Sequence, residues 1–123
     1  MVLHEDDRPI FIFDCQPFDW SLTSSLGAYD LAYAIPLYWP PHLRRQFDRP
    51  ILDHYHNGLL RHGVTDYSRE QLFDDYRLSV ALCVTIAVEY FRGGFSTRWL
   101  DFKLVLLNRT LTAFDDLNCQ ALF

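Results

Sequence analysis

Phe11-Ile12-Phe13 is an apolar run that ends in Asp14, followed by Cys15 and Gln16. A carboxylate at the carboxyl end of a β-prone run is held rigidly, and a hard oxygen ligand so placed suits Mg²⁺. The plainer reading, in which Asp14 closes a strand and opens a turn, stands beside it. The loop that follows carries Gln16, Asp19 and Trp20, polar groups next to Asp14 that make it the better candidate for substrate contact.

Other chemistries are poorly served. His54 and His56 are two apart, which on a helix points them to different faces and argues against a metal pair. No Gly-x-Ser-x-Gly elbow occurs, and Cys15, Cys83 and Cys119 sit in apolar surroundings that favour inert thiols. They form no Cys-x-x-Cys pair, so neither a disulfide framework nor a zinc site is indicated, and a reducing cytoplasm is the expected setting. Lys103 is the only lysine.

Two short β-prone runs, Val2-Leu3-His4 and Ile10 to Phe13, flank the acidic, proline-bearing Glu5 to Pro9 and predict a hairpin. A loop rich in Ser, Thr and Pro leads to a short helix from Ala28, expected to halt before Pro36. A second helix is expected from Pro50 to His62, with Asp48 as its cap and Gly63 as its stop. Ser68 with Gln71 forms a capping box that starts a long third helix, amphipathic through Leu72, Phe73 and Tyr76. Its Val80 to Val88 portion is apolar all round, which predicts contact on every side until Gly93-Gly94 ends it. A last helix from about Thr97 to Leu117 carries the stripe Leu100, Leu104, Leu107, Leu111 and Phe114, and residues after Asn118 are expected to fray. The expected organisation is one domain: 1–27 hairpin and metal-binding-type loop, 28–117 helical lobe, 118–123 tail.

With 123 residues, half of them hydrophobic and 16% aromatic, the chain is able to bury a bulky core. Trp20, Trp39, Tyr90 and Trp99 are accordingly expected in that core rather than around a pocket. A net charge of -5 and no basic run longer than Arg44-Arg45 argue against nucleic acid as a partner. The longest uncharged stretch, Leu78 to Val88, is shorter than the roughly 20 residues of a membrane span.

Asp14-Cys15-Gln16, the serine-rich loop, and Gly27 shortly followed by Asp30-Leu31-Ala32 resemble the aminoglycoside phosphotransferase-like family of small-molecule kinases. The likeness continues in order through Tyr55-His56, Gly63 to Ser68, Asp75-Tyr76-Arg77 and Phe114 to Leu117. It implies a mainly α fold, the C-terminal lobe of the protein-kinase-like fold, with a short hairpin followed by four to five helices. It also implies that Asp14 is a magnesium ligand and that Asp30 holds the backbone of the catalytic loop. Cys15 departs from the family's usual tryptophan. The family's His-Gly-Asp segment, which supplies the catalytic base, is expected to lie before Met1, as is the lobe that holds ATP. No catalytic base is therefore assigned, and the chain alone is expected to bind neither ATP nor Mg²⁺. The competing expectation is a non-catalytic helical interaction module. Either way an exposed apolar face is expected, covered by a missing lobe or by self-association.

Overall fold

The structure, a computed structural model, describes residues 26–92 and 99–123. The expected hairpin, the loop after it and Gly93-Gly94 lie outside those residues. Within them the chain forms four helices: α1 (Tyr29–Tyr38), α2 (Pro41–Arg61), α3 (Arg69–Glu89) and α4 (Leu100–Asp116), closed by a 3-10 turn at Cys119–Leu122. None of the described helices is long and apolar enough to cross a membrane.

α3 is the central element and packs against the other three. Leu72, Tyr76, Val80, Cys83 and Ala87, spaced four, four, three and four apart, are all essentially inaccessible and form one face. Ala28, Ala32 and Leu37 of the first segment and Leu106 and Ala113 of α4 complete the core. Small residues on α1 let its backbone approach α3 closely.

That closeness explains why α1 does not halt before Pro36, as the sequence leads one to expect, but runs on to Tyr38. A proline in a helix leaves the carbonyl four residues earlier without its donor. Here that carbonyl belongs to Ala32, and the Cys83 thiol of α3 donates to it at 3.4 Å. Burial pushes the Cys83 thiol up to about 12, so it stays protonated and able to donate.

α2 also starts earlier than expected, with Pro41 rather than Pro50 as its first residue. A proline there lacks a donor the first turn would not have used. Pro50 sits inside the helix, where it and Gln46, whose carbonyl loses its partner, are both exposed and open to water. Asp48 is therefore no cap; it is buried in mid-helix. The stop is as expected. Gly63 adopts φ +87, its N–H donates to Leu60 O, and the Val64 N–H donates to Leu59 O, a pairing that satisfies the last carbonyls.

The capping box opens α3 as expected: Ser68 Oγ accepts from the Gln71 N–H and Gln71 Oε1 from the Ser68 N–H. The contact expected on every side of Val80 to Val88 is not found, since Leu82 is 47% and Val88 53% exposed. The leucine stripe of α4 forms its core face only in part, through Leu107 and Phe114. Leu106, Thr110 and Ala113 are buried, while Leu104 and Leu111, roughly 100° and more around the helix, are 49% and 44% exposed. Polar tethers fix that rotation: Arg109 donates to Tyr38 O, Asp116 binds Arg44 and Arg45, and Arg77 donates to Leu117 O and Asn118 O. The end does not fray either. Asn118 turns the chain through φ 52, and Cys119 is buried completely.

Cys83→Ala removes both the donor to Ala32 O and buried volume, and is expected to cost about 1–3 kcal/mol in urea unfolding. Combined with Pro36→Ala, which restores a backbone donor to that carbonyl, it should cost measurably less. An additive double-mutant cycle would refute the thiol's role.

Candidate functional site

Of the residues picked out in the sequence, Asp14, Gln16, Asp19 and Trp20 lie outside the described residues, and only Asp30 is placed. It occupies the first turn of α1, exposed, where a carboxylate is favoured by the helix dipole. No side-chain hydrogen bond or ion pair engages it among the described residues. The start of α1 is held from below: Ala28 and Ala32 are buried, and a Cβ at Gly27 would stand 2.4 Å from the Tyr55 hydroxyl. A side chain at Gly27 would displace that ring, which accounts for glycine at this point without any appeal to backbone strain.

Tyr33, one turn beyond Asp30, belongs to a cluster of tyrosines that also includes Tyr29, Tyr38 and Tyr90. Tyr38 donates to the Tyr33 hydroxyl at 3.4 Å, and the Tyr33 and Tyr90 hydroxyls share a second contact of the same length. Tyr29 stacks on Tyr33 with ring centroids 6.4 Å apart. The hydrogen bond with Tyr38 leads the causes that raise Tyr33, so the Tyr33 hydroxyl remains neutral. Tyr90 is thus partly exposed rather than core, and Trp99, 58% exposed against Phe102, departs further from that expectation. Trp39 is half-buried, edge-on to Phe47.

A groove between α2 and α3 is lined by Arg49, Asp53, Arg69 and Phe73, over Leu52 and Leu72. Its inner part encloses about 110 Å³, and the more open outer part, which shares Arg49, Arg69 and Phe73, about 380 Å³. The Arg49 guanidinium lies 3.5 Å over the Phe73 ring, and Arg69 bonds to Asp53 and to Asn57 Oδ1. Glu70 and Asp74 line the outer part, so the two signs of charge nearly balance. Sequence reasoning missed this groove, because Arg49 and Arg69 meet only through helix packing.

The largest buried polar assembly was also missed. Arg44, only 2% exposed, donates to Asp48 Oδ2 at 2.5 Å and to Asp116 Oδ2, while the Tyr76 hydroxyl donates to Asp48 Oδ1 at 2.8 Å. Arg45 reaches Asp116 from outside, its Nε donating to Oδ2 at 2.7 Å. The Arg44/Asp48 spacing of four is visible in the sequence, but nothing there marks the pair as buried. Nearby, His56 is buried with Nε2 2.8 Å from Tyr67 O; a carbonyl only accepts, so Nε2 carries the proton. The Tyr67 hydroxyl donates to Asp75 Oδ2 at 2.5 Å, tying the loop before α3 to that helix. Arg44 Nε and His56 Nδ1 stay buried with no partner among the described residues, and none of these contacts pairs a nucleophile with a base. Among the described residues no three His, Cys, Asp or Glu side chains gather as a metal site.

Comparison of the chain with protein-family models, curated proteins and solved structures found no match.

The buried assembly gives the protein opposing responses to acid. The Arg45 hydrogen bond, with the charge of Arg44, holds the Asp116 carboxyl below its usual 3.8. Its stabilisation is therefore present above that value and lost as pH falls through the lowered one. Burial outweighs the Tyr76 and Arg44 contacts at Asp48 and raises it, so its contribution is fullest below 3.8 and is lost as pH rises through the raised value. Asp116→Asn should accordingly flatten the rise in stability between about pH 2 and 5, followed by thermal melts. Arg44→Ala, which strands Asp48 in the core, should cost about 3–5 kcal/mol in urea unfolding. A cost under 1 kcal/mol would show that the assembly is not a stabilising clamp.

Proposed function

We propose that the chain is the C-terminal helical lobe of an ATP-dependent phosphotransferase, akin to the aminoglycoside phosphotransferase-like small-molecule kinases, that acts on a small hydroxylated molecule. The observation that carries this reading is Asp30. It stands exposed on the first turn of a helix whose other side is fixed in the core, with no side-chain partner among the described residues. A carboxylate so held is suited to accept hydrogen bonds from the backbone of a neighbouring loop, which is the role the resemblance gives it. The ordered motifs from Asp14 to Leu117 support the same assignment.

In this reading Asp14 is the residue of this chain that would hold Mg²⁺, which neutralises charge on the phosphates of ATP, and Gln16, Asp19 and Trp20 would meet the acceptor. Phosphoryl transfer depends on positioning and charge neutralisation by many groups together. The sequence contains no His-Gly-Asp segment, and its single lysine, Lys103, falls on α4. The catalytic base and the nucleotide-covering groups therefore have to come from residues outside these 123, and the chain alone is inactive.

A second reading is favoured by a different observation, the exposed apolar surface of α3 and α4. Under it the chain is a helical interaction module with no need of nucleotide.

Mixing the full chain with a kinase-like amino-terminal half separates the two. The phosphotransferase reading expects phosphoryl transfer to be restored, Asp14→Ala to abolish it, and Asp30→Asn to lower it by about 10–100-fold through loss of support to the loop. Restored transfer that ignores Asp14→Ala, or none with a folded pair, would favour the module.

A further inference from the structure

α3 and α4 each expose large apolar side chains, Leu78, Leu82 and Val88 on the first and Phe102, Leu104, Val105 and Leu111 on the second. Arg77, Ala81, Val84 and Val88 occupy one row of α3, and Arg77 donates to Leu117 O and Asn118 O at the end of α4, so that row runs beside α4. On α4 the neighbouring row is Leu100, Leu104, Leu107, Leu111 and Phe114, of which Leu107 and Phe114 lean against the core and Leu104 and Leu111 stand exposed. α1 lies on the far side of both helices, reached by Cys83 from α3 and by Arg109 from α4. Nothing described covers the near side, where Val88, Leu104 and Leu111 are about half exposed.

The charges along this face indicate its occupant. Asp101 and Asp115 border the leucine row, both exposed and neither in an ion pair among the described residues. Asp115 lies in the last turn of α4, which holds no basic residue of its own; Arg77 of α3 answers the carbonyls of Leu117 and Asn118 beyond it, not the Asp115 carboxylate. A second copy would be a poor occupant. Packed antiparallel on the same row, it would set the edge of Asp101, Asn108 and Asp115 against its own equivalent, with no cation on that edge to pair. We propose that the α3–α4 face docks an amphipathic helix whose apolar stripe is bordered by lysine or arginine. Two parallel apolar rows receive such a helix as ridges receive a ridge, and the bordering cations pair with Asp101 and Asp115. The proposal rests on this face alone and holds under either reading of the function.

The test uses the full chain and two synthetic helical peptides with identical leucine stripes, one bordered by lysine and one by glutamate, titrated by fluorescence anisotropy. The lysine peptide is expected to bind at least about tenfold more tightly, with the gap closing in Asp115→Lys. Leu104→Ser with Leu111→Ser should abolish binding of both peptides, while an unchanged helical signal and melting transition show that the fold survives. Equal affinity for the two peptides would overturn the proposal. A dimer in sedimentation equilibrium that Leu111→Ser dissolves would assign the face to a second copy instead. Binding that emerges only after Phe11→Ser with Phe13→Ser would assign it to this chain's own first residues.

Discussion

A single guanidinium joins three of the four helices. Arg44, near the start of α2, binds Asp48 on its own helix and Asp116 at the end of α4, and Asp48 in turn accepts from Tyr76 at the centre of α3. Burying an arginine is unfavourable unless its charge is matched and its donors are used. Two carboxylates match it here, although Nε is buried with no partner among the described residues. Once these contacts form, the depth of α2 against α3 and the rotation of α4 are no longer free. An apolar core alone would tolerate several such rotations; a guanidinium divided between carboxylates on two helices tolerates one.

The rotation of α4 has the largest consequence. Its most regular apolar row is the leucine stripe, yet the tethers at Arg109, Asp116 and Leu117 turn Leu106, Thr110 and Ala113 inward instead. Small side chains on the inner face let α4 approach α3 closely, and Thr110 satisfies its own hydroxyl against Leu106 O and Leu107 O. Leu104 and Leu111 are left for another surface. The stripe read in the sequence is thus split, with Leu107 and Phe114 against the core and Leu104 and Leu111 on the outer face of the described bundle.

Local signals were legible wherever the partner atoms lie within one turn. The capping box at Ser68 and Gln71 and the glycine stop at Gly63 are met where they were expected, because each depends on hydrogen bonds to nearby backbone. The two prolines misled for the converse reason. Pro36 is tolerated because a thiol forty-seven residues away, by sequence number, supplies the missing donor to Ala32 O. Pro50 is tolerated because its turn of helix faces water. Neither compensation has a local signature. Asp30 was singled out by the family resemblance, from its place after Gly27, and the structure fixes only its position on the first turn of α1; the groove of Arg49, Arg69 and Phe73 left no pattern to find.

The sequence by itself determined, for the described residues, a mainly helical architecture, the starts and stops of its helices where caps are local, and the apolar, buried settings of Cys83 and Cys119. It also supplied the ordered motifs on which the kinase-like reading rests. Only the tertiary structure decided which face of α4 is buried, that Arg44 and Asp48 are core groups, and that Val88, Leu104 and Leu111 stand open. The physical reason is range. Caps and turns are set by atoms a few residues apart, while burial and helix rotation follow from charge and packing contacts between segments that only the fold brings together.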